Sequence, residues 1–207
     1  IDFAHRGANM IVSPAFGRPI AETDCVNCGQ CAAVCPTAAI TIKKDLKGVW
    51  QALYAPNKRV VVQIAPAVRV AIGEEFGIAP GKNTIGKIYT ALRMLGFDTV
   101  FDTSFSADLT VIEEANELLY KLENGEKKYP LGNSMPLFTS CCPAWVRFVE
   151  TKYPELLPYV STCKSPMEMF GAVLKEYYKP ADEEAGLETV SVAVMPCVAK
   201  KYEAARE

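Results

Sequence analysis

Apolar and polar positions along this chain switch between the period of a buried strand and the period of an amphipathic helix. The run RVVVQIAP (59–66) is β-branched, nearly continuous and closed by a proline, which predicts a buried strand. TIGKIYTALRMLG (84–96) has apolar residues at helical spacing and a glycine stop, and DTVFDTS (98–104) is again strand-like. SADLTVIEEANELLYKLENG (106–125) reads as an amphipathic helix with Ser106 as N-cap and Gly125 as stop. PLFTS (136–140) predicts a strand, and PAWVRFVETKY (143–153) and SPMEMFGAVLKEYY (165–178) predict helices with proline at or near the first turn. TVSVAVMPC (189–197) alternates with period two and predicts a last strand. The alternation predicts an α/β fold with a parallel sheet over residues 45–207. Ligands of such sheets gather at the carboxyl ends of strands. Three segments, IAP, FTSCCP and VMPC, each follow a predicted strand and are expected to share one site.

Composition narrows the partners. The 207 residues carry a net charge of −2 and 50% hydrophobic residues, enough for one sizeable core and a small appended module. The charge is nearly balanced, and no basic stripe points to nucleic acid. No apolar run reaches the ~20 residues that span a bilayer; the longest, VVVQIAPAVRVAIG, is broken by Gln63 and Arg69. The N-terminus lacks the layout of a signal peptide. It starts at Ile1 instead of Met, which suggests a processed chain or an excerpt.

Eight cysteines change the picture most. Four stand at 25, 28, 31 and 35; the others are Cys141, Cys142, Cys163 and Cys197. A disulfide scaffold is usually short, secreted and loop-rich, so metal ligation or catalysis is the better reading. CVNCGQCAAVCP is C-x2-C-x2-C-x3-C-P, the bacterial ferredoxin run for a 4Fe–4S cube. Zinc sites favour two separated pairs instead. Cys25, Cys28 and Cys31 supply three ligands; Cys35 either completes this cube or serves a second one whose partner run lies upstream of Ile1, the arrangement expected here. Residues 1–44 thus read as a partial ferredoxin-like 4Fe–4S module, with 1–20 a linker hairpin and His5 structural. Cys142 and Cys197, beside prolines at strand ends, suit a further cube still short of ligands.

FTSCCPAW and MPCVAKKYE resemble the first two signature motifs of the iron-only (FeFe) hydrogenases. VQIAPAVRVAIGEEFG, TIGKIYTALRMLGFD, EEANEL and STCKSPMEMFG resemble the intervening segments of that family in the same order. The resemblance implies a hydrogenase-like domain and a cofactor made of a 4Fe–4S cube joined through a cysteine to a diiron unit with CO, cyanide and a bridging dithiolate. Carried over by position, Cys142 and Cys197 ligate the cube, and Cys141 stays free to pass a proton. An unperturbed thiol pKa near 8.5 suits that role. Lys200 faces a cyanide; Ala65, Pro66 and Ala67 line the pocket; Pro166, Met167 and Met195 pack around the diiron unit. Glu114, Ser161 and Glu117 match the outward proton path, with Glu203 near a water path. Without the resemblance, EEANE is an ordinary solvated helix face, Lys200 a surface lysine and the methionines core.

Several positions depart from the family pattern. Ala144 stands for a glycine, Ala67 for a serine in some members, Met167 for a glutamine in some, and Cys163 is an extra thiol. Cys163 reads as a buried small hydrophobe, with a redox role as the sharper alternative. Nothing matches the third motif, which carries the last two cube ligands, so the chain reads as a fragment lacking sequence at both ends. The resemblance implies reversible reduction of protons to H2, electrons arriving through ferredoxin-type clusters from ferredoxin or an NADH-linked subunit. It also implies maturation proteins and a cytoplasmic location. Two alternatives stand beside it: a non-catalytic Fe–S assembly factor, for which a free Cys141 has no use, and an H2-sensing relative.

Overall fold

The computed structural model describes residues 1–124 and 136–206. A hairpin of β1 (Asp2–Ala4) and β2 (Ile11–Ser13) opens the chain, antiparallel, with Phe3 opposite Val12. The cysteine run follows, its third member inside the single turn α1 (Gln30–Ala33). Then come α2 (Leu46–Leu53), β3 (Lys58–Ile64), α3 (Pro66–Ala71), α4 (Ile85–Met94), β4 (Thr99–Asp102) and α5 (Ser104–Asn124). After 125–135 the chain continues through α6 (Pro143–Lys152), α7 (Pro166–Ala185), β5 (Glu188–Val194) and α8 (Ala199–Glu203).

The architecture is α/β, as predicted: three strands in the order β4–β3–β5, parallel on both sides of β3. Val62 of β3 lies opposite Val100 on one side and Val192 on the other. The central strand is covered on both faces, which explains why RVVVQI reads as a continuous apolar run instead of alternating. Val60, Val62 and Ile64 pack with Ala52, Phe97 and Val100 under Leu53 of α2 and Ile88 and Leu92 of α4. Val61, on the opposite face, packs against Phe170 and Leu174 of α7. Phe101 meets Phe170 edge to face, centroids 5.2 Å apart. Gln63 interrupts the run for a reason: fully buried, it donates to the Met167 carbonyl (3.1 Å) and accepts from the Thr103 hydroxyl (3.1 Å).

Four local expectations are corrected. PLFTS is not a strand of the sheet: only Phe138 pairs, in a single parallel bridge with Val160. The Phe138 N–H donates to the Tyr159 carbonyl, and its own carbonyl accepts from Ser161. Ser106 is no N-cap. The α5 helix begins at Ser104, whose N–H is held by the Asp102 carboxylate, while the buried Ser106 hydroxyl donates to the Thr103 carbonyl inside the first turn. Its expected stop, Gly125, lies outside the described residues. Helix α7 runs past residue 178 to Ala185, through Pro180. Finally, α2 was not foreseen, although Val49 and Leu53, four apart, pack on the core.

Candidate functional site

The ferredoxin-type loop is shaped by two left-handed residues, Asn27 (φ +58°) and Gly29 (φ +78°), which turn the chain back between Cys25 and Cys31. Gly29 also permits a close approach. A Cβ there would stand 2.8 Å from Cγ2 of Val198, the residue after Cys197. Cys28 and Cys31 are exposed, Cys25 and Cys35 half-buried, and all four thiols are free. The Cys35 thiol is pulled down to about 7, first by the Ile40 N–H, then by the Thr37 hydroxyl and the Thr37 and Ala39 amides. Donors gathered on a sulfur favour the thiolate, the form that binds iron. Four free thiols on one loop, one of them already turned toward its thiolate, fit a 4Fe–4S cube. Among the described residues no three His, Cys, Asp or Glu side chains converge as a single-ion centre requires.

The two other cysteine motifs meet at the carboxyl edge of the sheet. Cys142 is the N-cap residue of α6, with Pro143 in the first turn, and it is exposed. Cys197 lies three residues past β5, exposed, just before α8. Helices α6 and α8 pack together. Lys200 of α8 reaches the Cys141 carbonyl (3.0 Å) and pairs with Glu203 (2.7 Å). Lys200, Glu203 and the exposed Cys141 are therefore brought together. Both exposed thiols at helix starts, with an ammonium beside them, suit an anionic iron–sulfur cofactor, and the donor set here is two cysteines.

Ala65 ends β3 and precedes α3, buried, while Pro66 and Ala67 form the exposed first turn of α3. Pro166 begins α7; Met167 is buried, its carbonyl held by Gln63, and Met195 follows β5 half-buried.

The acidic run of α5 is only partly solvated: Glu113 is exposed and Glu117 is buried. Glu117 is buried and accepts from the Ser161 hydroxyl (2.6 Å) and the Thr162 N–H (3.2 Å). It also pairs with Lys121 at 3.3 Å, one turn along. Glu114 keeps a carboxylate oxygen buried with no hydrogen-bond partner. Glu117 and Ser161 thus share one buried polar seam, and the charges of Glu117 and Glu114 both act on the Cys163 thiol. Cys163 joins it: its N–H donates to the Ser161 hydroxyl, and its thiol lies 3.8 Å from Glu117. Burial pushes that thiol's pKa up, the Ser161 contact opposes it, and Glu117 and Glu114 push it further up. Cys163 is therefore a half-buried protonated thiol in a polar seam, not a core hydrophobe.

Cys163 lines an open cavity of about 260 Å³ with Ser140, Lys164, Glu168 and Glu203. Glu168 was not foreseen. Burial, then the charge of Glu203, raises its carboxyl above the usual range. Arg147 of α6 was also missed: its Nε donates to the Cys25 carbonyl (2.8 Å) and its Nη1 to the Tyr202 hydroxyl (2.9 Å). Neither had a sequence signal beyond its place on a helix following a cysteine or serine motif.

Comparison with known proteins agrees with this geometry. A family model described as iron only hydrogenase large subunit, C-terminal domain, matches residues 58–207, and a 4Fe-4S binding domain matches 19–41. The chain is 50% identical to NADP-reducing hydrogenase subunit HndD of Solidesulfovibrio fructosivorans, over 98% of this chain and 34% of that protein. It superimposes on a variant of apo FeFe-hydrogenase HydA1 from Chlamydomonas reinhardtii with a TM-score of 0.69 at 45% identity, covering 79% of this chain and 41% of the other. It is also 36% identical to Protein NAR1 of Arabidopsis thaliana, over 91% of this chain and 40% of that protein. The chain thus spans between a third and two fifths of the length of these three proteins. The matched family model and the two cysteine motifs at one sheet edge place the chain in the iron-only hydrogenase large-subunit family.

Proposed function

We propose that the chain carries part of an iron-only hydrogenase centre that interconverts protons, electrons and H2, with residues 1–44 as the electron-relay module and 45–207 as the N-terminal part of the catalytic domain. The observation that carries this reading is the bond from Lys200 to the Cys141 carbonyl, which ties the two cysteine motifs together at the sheet edge. When bound, a 4Fe–4S cube with its diiron unit supplies the electrons and the open iron site for H2 chemistry. Cys142 and Cys197 would hold the cube. Lys200, fixed between the Cys141 carbonyl and Glu203, would offer its ammonium to a cyanide of the bound group. Ala65, Pro66 and Ala67 after β3, and Pro166, Met167 and Met195 from α7 and the end of β5, would line the pocket of the bound group.

The chain's own groups move the proton. The exposed Cys141 thiol holds it at Sγ and passes it to the buried free oxygen of Glu114. Ser161, already donating to Glu117, links Glu114 to the outer carboxylate, and Lys121 pairs with Glu117 at the exit. Glu203 serves a second, water-lined route beside the cavity. Cys25, Cys28 and Cys31 would hold a cube that supplies the electrons, with Cys35 turned to a second one. The electrons come from ferredoxin or a nicotinamide-linked redox subunit, a reading supported by the name of the Solidesulfovibrio relative. Maturation proteins load the diiron unit, and a reducing cytoplasm suits the exposed thiols.

A second reading follows from the likeness to NAR1: the chain acts in Fe–S assembly without turning over H2. Dye-linked H2 evolution by the protein matured anaerobically with hydrogenase maturation machinery separates the two. Cys141→Ala is expected to lower the rate at least ~100-fold with iron content unchanged, as loss of a general acid does. Full activity in that variant contradicts the relay, and no H2 from the wild type with its cubes loaded favours assembly.

A further inference from the structure

Arg147 sits where two cysteine-bearing parts of the molecule touch. It lies on α6, five residues after Cys142. Its Nε donates to the carbonyl of Cys25, the first cysteine of the ferredoxin-type run. Its Nη1 donates to the Tyr202 hydroxyl, and its guanidinium lies 4.9 Å from the centroid of that ring. Tyr202 is on α8, five residues after Cys197. One side chain therefore bridges the loop of the first cube and both elements that carry the second.

Among the described residues Arg147 makes no ion pair, and its charge reaches the Asp24 carboxylate only at a distance. Both of its hydrogen bonds go to neutral oxygens. The nearby Asp24 is engaged by Lys152, and Arg206, across the Tyr202 ring, is engaged by Glu150 at 2.5 Å. Arg147 is half-buried, so water screens its field only in part. A cation held against a cluster ligand stabilises the reduced, more negative cube over the oxidised one. The planar fork also fixes direction, which a lysine does not reproduce.

We propose that Arg147 is a positioning residue that docks the ferredoxin-type loop onto α6 and α8 and, by its charge, raises the reduction potential of the cube that Cys25, Cys28 and Cys31 would hold. This rests on the reading of that run as a 4Fe–4S site; it needs neither the diiron unit nor H2 turnover. Charge and contact have separate signatures. R147K keeps the cation and loses the fork; R147Q loses the cation and keeps a donor.

The test is an EPR-monitored redox titration of the full chain reconstituted anaerobically with iron and sulfide, using the reduced-cube signal that a Cys28→Ala control removes. R147Q is expected to shift the midpoint to more negative potential at unchanged iron content. R147K is expected to stay near the wild type in potential while amide exchange in residues 20–45 quickens. An unchanged midpoint in R147Q, or an equal fall in R147K, overturns the assignment. So does a glutamine variant that fails to load iron while the lysine variant loads, since that makes Arg147 a folding residue. No iron in the wild type would instead remove the 4Fe–4S reading on which the inference rests.

Discussion

Residues 1–44 and the sheet region reach order by different means. Among the described residues of 1–44 none is buried, and Phe16 is 96% exposed. Five successive residues of β3, Val60–Ile64, are 2% exposed or less. Burial on that scale stabilises a sheet by about 1.5–3 kcal/mol for each large apolar side chain. The N-terminal segment has no such source. Its order must come from ligands bound to its cysteines and from its docking on α6 and α8 through Arg147, Gly29 and the pair Lys152–Asp24. Small modules without a core commonly depend on a metal in this way. The same division suits the proposed function, in which a rigid sheet edge holds the reacting site and a cluster-held loop brings electrons to it.

Removing iron should break the comparison most visibly. With a chelator under reducing, anaerobic conditions, amide protection is expected to vanish across residues 25–35 and to persist in β3; equal loss in both would make one cooperative unit of them. Phe170→Ala is the converse. It empties a buried position and removes the edge-to-face contact with Phe101, at a cost of about 3–5 kcal/mol read by denaturant unfolding of the apo chain. The iron content of the N-terminal run should be untouched if that run does not lean on the core.

Gly29→Ala sharpens the junction between the two. It forces a φ of +78° on a residue with a Cβ and drives that atom against Val198. The strain, about 1–3 kcal/mol, should appear as faster exchange in residues 20–45 and in α8, with β3 unaffected. The smallest effect concerns pH. The Glu168 carboxyl is raised in the folded protein, so folding binds the proton more tightly than the unfolded chain does. Its contribution is therefore full below the ordinary carboxylate range and falls as pH rises through the raised value. Glu168→Gln should slightly raise the melting temperature near neutral pH and leave it unchanged at acid pH, where the wild-type carboxyl is already neutral.

Most of the sheet was legible in the sequence because its signals are local: β-branched runs, helical spacing and proline stops. What was not legible depends on partners distant in the chain. PLFTS has strand propensity, but its backbone bonds go to residues 159–161, so it never joins the sheet. Ser106 looks like a cap until Asp102, four residues earlier at the end of β4, is seen to hold the Ser104 N–H. The ferredoxin-type run could be read from spacing alone, whereas the burial of Glu117 needed Ser161, forty-odd residues away, to be seen. Arg147 shows the limit plainly, since its partners are Cys25 and Tyr202 and nothing in PAWVRFVE announces either.

The central claim is that Cys141, Cys142, Cys197 and Lys200 belong to a diiron-bearing hydrogenase centre. An infrared spectrum of the anaerobically matured, full-length protein tests it most directly. The account predicts CO and cyanide stretching bands, with the cyanide bands displaced in Lys200→Ala. A spectrum without such bands, in a sample whose iron and sulfide content shows loaded cubes, would contradict it.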